Sequence, residues 1–331
     1  MGSLDDPRLP YDYKNRERGT VAPDTTRQPF RWASEVAYKN VHRIVTRGYD
    51  TTELVEAGYG IEDVIFIDFQ SRIPLIEEAK MLSYVMVMSL EDGLSSPAAI
   101  SRIVTKSKTL LTQAAGASIL AFGHAYGAYT DYGKILDTYL KRAEKEGMSL
   151  AEAAEMAVRD NIDSEALGVS DLMLKDPAAK RMIARAEKLG VAGKYIAFAK
   201  EIAKAAQKLF KEPVDLDMLG ATGATMMDLG FSPDATWCIL AVTRAFAGGA
   251  HYCEEVEREQ YIRLGQALTP KELYDGPADR PVPSLEERAK TAVSGVAKTP
   301  EEWRQKLVEK QKLRGSGWGI VEEIEDPRRK M

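Results

Sequence analysis

Helix starts are written into this chain more plainly than any other signal. Ser149 stands three residues before Glu152, so each side chain can satisfy the other's backbone N–H at the head of the Ala-rich run Leu150–Val158. Asp176-Pro177, Ser232-Pro233, Thr269-Pro270 and Thr299-Pro300 each set a capping oxygen before a proline, whose missing N–H costs nothing in a first helical turn. Glu272 and Glu302 follow their caps by three residues and complete the same reciprocal pattern. This many capped starts in one chain are hard to obtain by chance, and helix signals dominate it.

Periodicity agrees. Over Gly193–Lys211 the apolar residues Phe198, Ile202, Ala205 and Leu209 recur at helical steps, while Lys200, Glu201, Lys204 and Lys208 fall on other faces. Two runs, 220–224 and 245–250, consist almost wholly of glycine, alanine and threonine around Phe246. Each glycine inside a helix costs about 1 kcal/mol against alanine, so close packing or ligand approach must offset it. One segment pulls the other way: residues 63–69 are short, β-branched and aromatic, and by propensity alone read as a strand.

The chain has 331 residues, enough for one large domain or two packed ones. A net charge of −5 with both signs dispersed argues against a nucleic-acid partner, which needs a basic face to displace phosphate counterions. No stretch approaches 18 uninterrupted apolar residues, so no membrane span is expected. The segment Met1 to Asp24 lacks the apolar core of a signal peptide. Cys238 and Cys253 lie on what reads as one helix, roughly 22 Å apart, too far for a disulfide. Together these predict a protein of the cytoplasm. The three histidines, His42, His124 and His251, show no metal-ligand spacing, and no metal is expected.

Three stretches, in the same order, resemble the citrate synthase superfamily, and within it the citryl-CoA lyase-like branch. Arg47-Gly48-Tyr49-Asp50 leads on to Leu90-Glu91-Asp92-Gly93-Leu94-Ser95-Ser96-Pro97, similar to the family's entry region. Ala121-Phe122-Gly123-His124-Ala125-Tyr126-Gly127-Ala128 resembles the turn that carries its first active-site histidine. Leu229-Gly230-Phe231-Ser232-Pro233, then Arg244 to His251, then Tyr274-Asp275-Gly276-Pro277-Ala278, matches the C-terminal half with its spacing kept. The resemblance runs from Phe30 to Pro283. It implies an all-α fold: a large helical domain (30–165 and 224–285) with a smaller inserted one (166–223), extended or loosely packed ends (1–29 and 286–331), and a tight homodimer with its active site in the cleft between domains. On that pattern residues 63–69 are helical, and the helix is the reading adopted.

The resemblance also implies a chemistry: making or breaking a carbon–carbon bond next to an acyl-CoA thioester. Such chemistry needs a carboxylate base for the weakly acidic α-proton, a donor for the enolate oxygen, and arginines for the acid substrate. His124 matches the thioester-facing histidine, against the alternative of a buried structural one. Arg244 matches a carboxylate-binding arginine, and Arg263 the one supplied by a partner subunit, against an ordinary surface residue. His251 matches a recurrent histidine whose role is more one of packing or support. Lys175, Lys180 and Arg181 stand where the family places the nucleotide of coenzyme A; surface charge explains them equally well.

Departures from the pattern are as informative. The second histidine is absent, with Asp171 near its place; the arginine after the Asp-Pro pair is Ala178; and the position of the aspartate base, eleven residues before Gly230, is Leu219. Asp217, two residues earlier, is the candidate base, against a solvated loop carboxylate. Three functions follow: a carbon–carbon lyase or acyltransferase with altered substrate specificity, an ordinary citryl-CoA lyase giving acetyl-CoA and oxaloacetate, or a non-catalytic acyl-CoA-binding homologue or partner subunit.

Overall fold

The computed structural model describes residues 34–40, 42–171, 177–211, 213–259 and 299–314, with 281, 282, 284 and 286. The chain divides into two units, Met1–Leu264 and Gly265–Met331. The first opens with a small antiparallel sheet, β1 (Ala37–Lys39), β2 (Ile44–Thr46) and β3 (Tyr49–Asp50), in that order. Then come α1 (Thr51–Glu56), α2 (Ile61–Gln70), α3 (Ile76–Leu90), α4 (Ser96–Thr105), α5 (Leu111–Ala121) and a 3-10 turn (His124–Tyr126). Next are α6 (Tyr129–Glu146), α7 (Leu150–Asp160), a second 3-10 turn (Glu165–Leu167), β4 (Val169–Asp171), α8 (Pro177–Leu189) and α9 (Lys194–Phe210). β5 (Val214–Leu216) pairs antiparallel with β4, and α10 (Met218–Asp228), α11 (Pro233–Glu254) and a π turn (Glu255–Glu259) follow. In the second unit the described helix is α12 (Pro300–Arg314). The protein is thus mostly helical, with two short sheets that the all-α reading did not include.

The caps act as the sequence predicts. Ser149 Oγ accepts from Glu152 N while Glu152 accepts from Ser149 N. Ser232 Oγ accepts from Ala235 N at the head of α11, and Thr299 Oγ1 from Glu302 N at the head of α12. Thr269-Pro270 lies outside the described residues. The Arg47-Gly48 turn closes the β2–β3 hairpin, and Asp50 then caps α1 through Thr52 N and Glu53 N. Arg47 also donates to Asp68 O on α2, tying hairpin to helix.

Residues 63–69 lie within α2, so tertiary context overrides strand propensity. Asp63 accepts from Gly60 N, Glu62 and Asp63 sit at the positive end of the helix, and Phe66 packs its ring 4.7 Å from that of Phe231. On α9 the buried stripe is Ile196, Phe198, Ala199, Ile202, Ala203, Ala205 and Ala206. Leu209, expected on it, is exposed, one residue before the helix ends, while the next residue, Phe210, packs against the core.

Helix α11 is the axis of the unit, in contact with α3, α4, α5 and α6. Its small residues let neighbours approach: a methyl on Gly248 would lie 2.0 Å from Ser118 Oγ of α5, and Gly248 O accepts from Ser101 Oγ of α4. Near the β4–β5 hairpin, Gly168 holds a left-handed φ of +68° and faces Gly220 of α10, whose Cβ would meet Gly168 O at 2.1 Å. No side chain fits there, so α10 starts against the hairpin backbone. The other end of α10 is clamped by Asp228, which accepts from Gly193, Tyr195 and Ile196 N–H groups at the head of α9.

Candidate functional site

The 3-10 turn that carries His124 exists because of Gly127, whose φ is +156° and whose Cβ would sit 2.0 Å from the Tyr129 ring. The side chain of His124 is 57% exposed, not a buried structural histidine, and its Nε2 lies 3.0 Å from Asp131 Oδ2. Hydrogen bonds from His124 and then Lys134 hold the Asp131 carboxyl below the usual carboxylate range. The edge of the His124 ring faces Trp237 of α11, whose indole N–H donates to Phe122 O. Tyr126 stacks on Phe122 and accepts from Ser96 N at the head of α4.

Phe122 in turn lies under Arg244, whose guanidinium carbon is 5.7 Å from the ring centre. Arg244 is only 8% exposed although α11 around it is small and apolar. Its Nε donates to Ser89 O at 2.8 Å, and its Nη1 lies 3.1 Å from Asp92 Oδ2. That Nη1 is buried yet makes no hydrogen bond. A buried guanidinium N–H without an acceptor is costly, so the position suits an incoming oxygen.

Two tyrosines line the same interior. Burial pushes the Tyr129 phenol up, the charge of Asp217 adds to that, and Thr222 and Arg244 oppose it. Tyr132 is raised by burial and then by Asp217 and Asp228, and its hydroxyl donates to Gly220 O. Asp217, Tyr129 and Arg244 therefore share one electrostatic neighbourhood. Asp217 is itself the N-cap of α10: Oδ1 accepts from Gly220 N at 2.8 Å. Leu219, in the first turn of that helix, offers no base.

Asp171 does not join this group. It pairs with Val214 at the far end of the β4–β5 register, whereas Asp217 N donates to Gly168 O at the near end, three residues or roughly 10 Å along the strand. On α8, Lys180 pairs with Asp215 at 2.9 Å, and Arg181 is exposed. Lys175 and Arg263 lie outside the described residues. His251 is largely covered, with Nε2 3.4 Å from Glu91 and Nδ1 3.6 Å from Glu254, as a supporting role requires. Among the described residues no group of three His, Cys, Asp or Glu is arranged to hold a metal ion, and no helix is long and apolar enough to cross a membrane. Both cysteines are free and lie on α11, as their spacing predicted.

Sequence reasoning missed Asp92, Asp131, Tyr129 and Trp237. Trp237 had a usable signal: Trp237, Arg244 and His251 fall at seven-residue intervals on α11 and so share a face.

The chain has the citrate synthase superfamily fold. It aligns with citryl-CoA lyase from Hydrogenobacter thermophilus at a TM-score of 0.65 and 20% identity, covering 78% of this chain and 99% of that one. ATP citrate lyase from Methanothrix soehngenii, solved with citrate and coenzyme A, aligns at 0.59 and 17%, covering 87% of this chain and 47% of that one. Citrate synthase from Thermoplasma acidophilum, solved with carboxymethyl coenzyme A and oxaloacetate, aligns at 0.51 and 18%, covering 69% and 60%. The chain spans under half of the ATP citrate lyase. No family model matches the sequence, and no curated protein does.

Proposed function

We propose that this protein is an enzyme of the acyl-CoA type, making or breaking a carbon–carbon bond beside the thioester, with a substrate other than citrate. The observation that carries the reading is Arg244: a guanidinium buried in an apolar helix, whose Nη1 is ion-paired with Asp92 at 3.1 Å but makes no hydrogen bond. It lies in the same interior as Asp217 and Tyr129, and the chain Phe122–Trp237 links it to His124. His124 donates to the enolate oxygen of the thioester, and Asp131 orients its ring. Asp217 is the base, held in place as the N-cap of α10. Leu219 and Ala178 remove groups that a citrate site would use.

Coenzyme A is proposed as the nucleotide of the substrate. Lys180 and Arg181 sit near the start of α8, and an exposed pair such as Lys180–Asp215 is weak enough for a phosphate to displace. The division into a large domain and a smaller one at 166–223, with the cleft between them, belongs to the same proposal. So does the homodimer. Leu120 (88% exposed) on α5, and Val242 and Phe246 (65% exposed) one turn apart on α11, are exposed apolar side chains that a second copy would cover. An ordinary citryl-CoA lyase is the second reading, favoured by the near-complete coverage of the Hydrogenobacter enzyme.

Incubation with citryl-CoA and a panel of 3-hydroxyacyl- and 3-oxoacyl-CoA esters, following acetyl-CoA release, separates these. Turnover of an uncharged ester with citryl-CoA inert is the expected result. Efficient cleavage of citryl-CoA would sink altered specificity. Coenzyme A binding without turnover of any ester would leave a non-catalytic homologue.

A further inference from the structure

Arg244 is not waiting alone. The turn after α3 brings Asp92 Oδ2 to 3.1 Å from its Nη1, from a side chain 55% exposed. The charge of the guanidinium is therefore met, while the directional N–H of Nη1 is not. The ring of Phe122 and the carbonyl of Ser89 take the other available contacts. One guanidinium thus stands beside one carboxylate, that of Asp92.

We infer that Asp92 sets the substrate class: by neutralising Arg244 it makes the site accept a CoA ester whose reacting end is uncharged, and turn away di- and tricarboxylate ends. This rests on the reading of the chain as an acyl-CoA carbon–carbon enzyme. An incoming carboxylate would put a second negative charge beside one positive one in a partly buried place, where like charges are poorly screened. A hydroxyl or ketone oxygen meets no such penalty and still satisfies Nη1. The same arginine that would clamp an anion in isolation becomes, with Asp92, a donor for a neutral oxygen. Selection then works by repulsion as much as by fit.

The test uses the full chain with citrate as the anionic probe and acetyl-CoA as an independent one. Asp92→Asn keeps the side-chain shape and removes the charge; because Asp92 is half exposed, an unchanged melting temperature is expected, with Asp92→Ser as a second variant. In calorimetric titration the Asn variant should bind citrate about tenfold tighter than wild type, as removal of one close like charge predicts. The gain should vanish in the Asp92→Asn/Arg244→Met double variant. With esters, the kcat/KM ratio of citryl-CoA over 3-hydroxybutyryl-CoA should rise by a similar factor. Equal citrate affinity in wild type and both Asp92 variants overturns the inference, as does a gain that survives loss of Arg244. Failure of wild type to bind acetyl-CoA instead overturns the functional reading, and the citrate arm still decides the role of Asp92.

Discussion

Two buried arginines, Arg102 on α4 and Arg244 on α11, are 7% and 8% exposed and yet differ in kind. Arg102 is surrounded by acid: Nε donates to the fully buried Glu255 at 2.9 Å, Nη1 to Glu254 at 3.1 Å, and Glu259 lies 3.8 Å from Nη2. The π turn at 255–259 brings Glu255 and Glu259 to bear on one guanidinium. Arg244 has one peptide carbonyl, one aromatic face and one half-exposed carboxylate. A charge enclosed by protein acids is part of the architecture. On the function proposed above, the less enclosed charge of Arg244 is where a small molecule binds.

The contrast can be broken most forcefully at Arg102. Arg102→Met strands Glu255 without its cation and should cost about 3–5 kcal/mol of stability in urea denaturation. Adding Glu255→Gln should recover part of that loss; a wild-type midpoint for the single variant would make the two arginines equivalent. Arg244→Met should behave the other way. Its stability should fall by only about 1–2 kcal/mol, from the Ser89 carbonyl left unpaired, while turnover of the best ester drops on the order of a hundredfold, about 2.7 kcal/mol of transition-state binding.

Gly220→Ala probes whether backbone packing positions the open side. The methyl meets Gly168 O, so α10 must shift at its Asp217 end, with a cost of about 1–3 kcal/mol. Ester turnover should suffer beyond that loss, and the Arg102 cluster should be untouched in a double-variant comparison. The smallest effect belongs to a third arginine, Arg72, which is half-buried and pairs with Glu78 at 2.7 Å. Burial pulls the Glu78 carboxyl upward, but the bonds from Arg72 and Leu75 N outweigh it and leave it below its ordinary 4.5. A depressed acid stabilises the fold above its unfolded value and loses that contribution as pH falls through the folded one. The stability gap between wild type and Arg72→Gln, under about 1 kcal/mol, should therefore close as pH drops below 4.5.

What could be read from the chain alone follows the range of the interactions. Caps are local, so Ser149, Ser232 and Thr299 announced their helices. Arg244 was legible because a cation among Ala241, Val242, Ala245 and Phe246 violates the local pattern. Arg102 was not, since Ile100 to Thr105 reads as an ordinary amphipathic turn and Glu255 is 153 residues away. Asp92 was hidden for the same reason: an acid in a turn looks solvated until the fold brings Arg244 to it. Strand register, which no short motif encodes, sets Asp171 apart from Asp217 along the β4–β5 hairpin.

The seven-residue spacing of Trp237, Arg244 and His251 makes α11 a ruler with three marks, roughly 10.5 Å apart and drifting only about 20° per interval. Each mark addresses a different neighbour: the His124 turn, the Asp92 turn and the acidic cluster below it. Substitution at one mark leaves the others in phase, so the chemistry of this scaffold can be exchanged piecemeal. A single inserted residue between marks would turn every mark beyond it by about 100° relative to those before it.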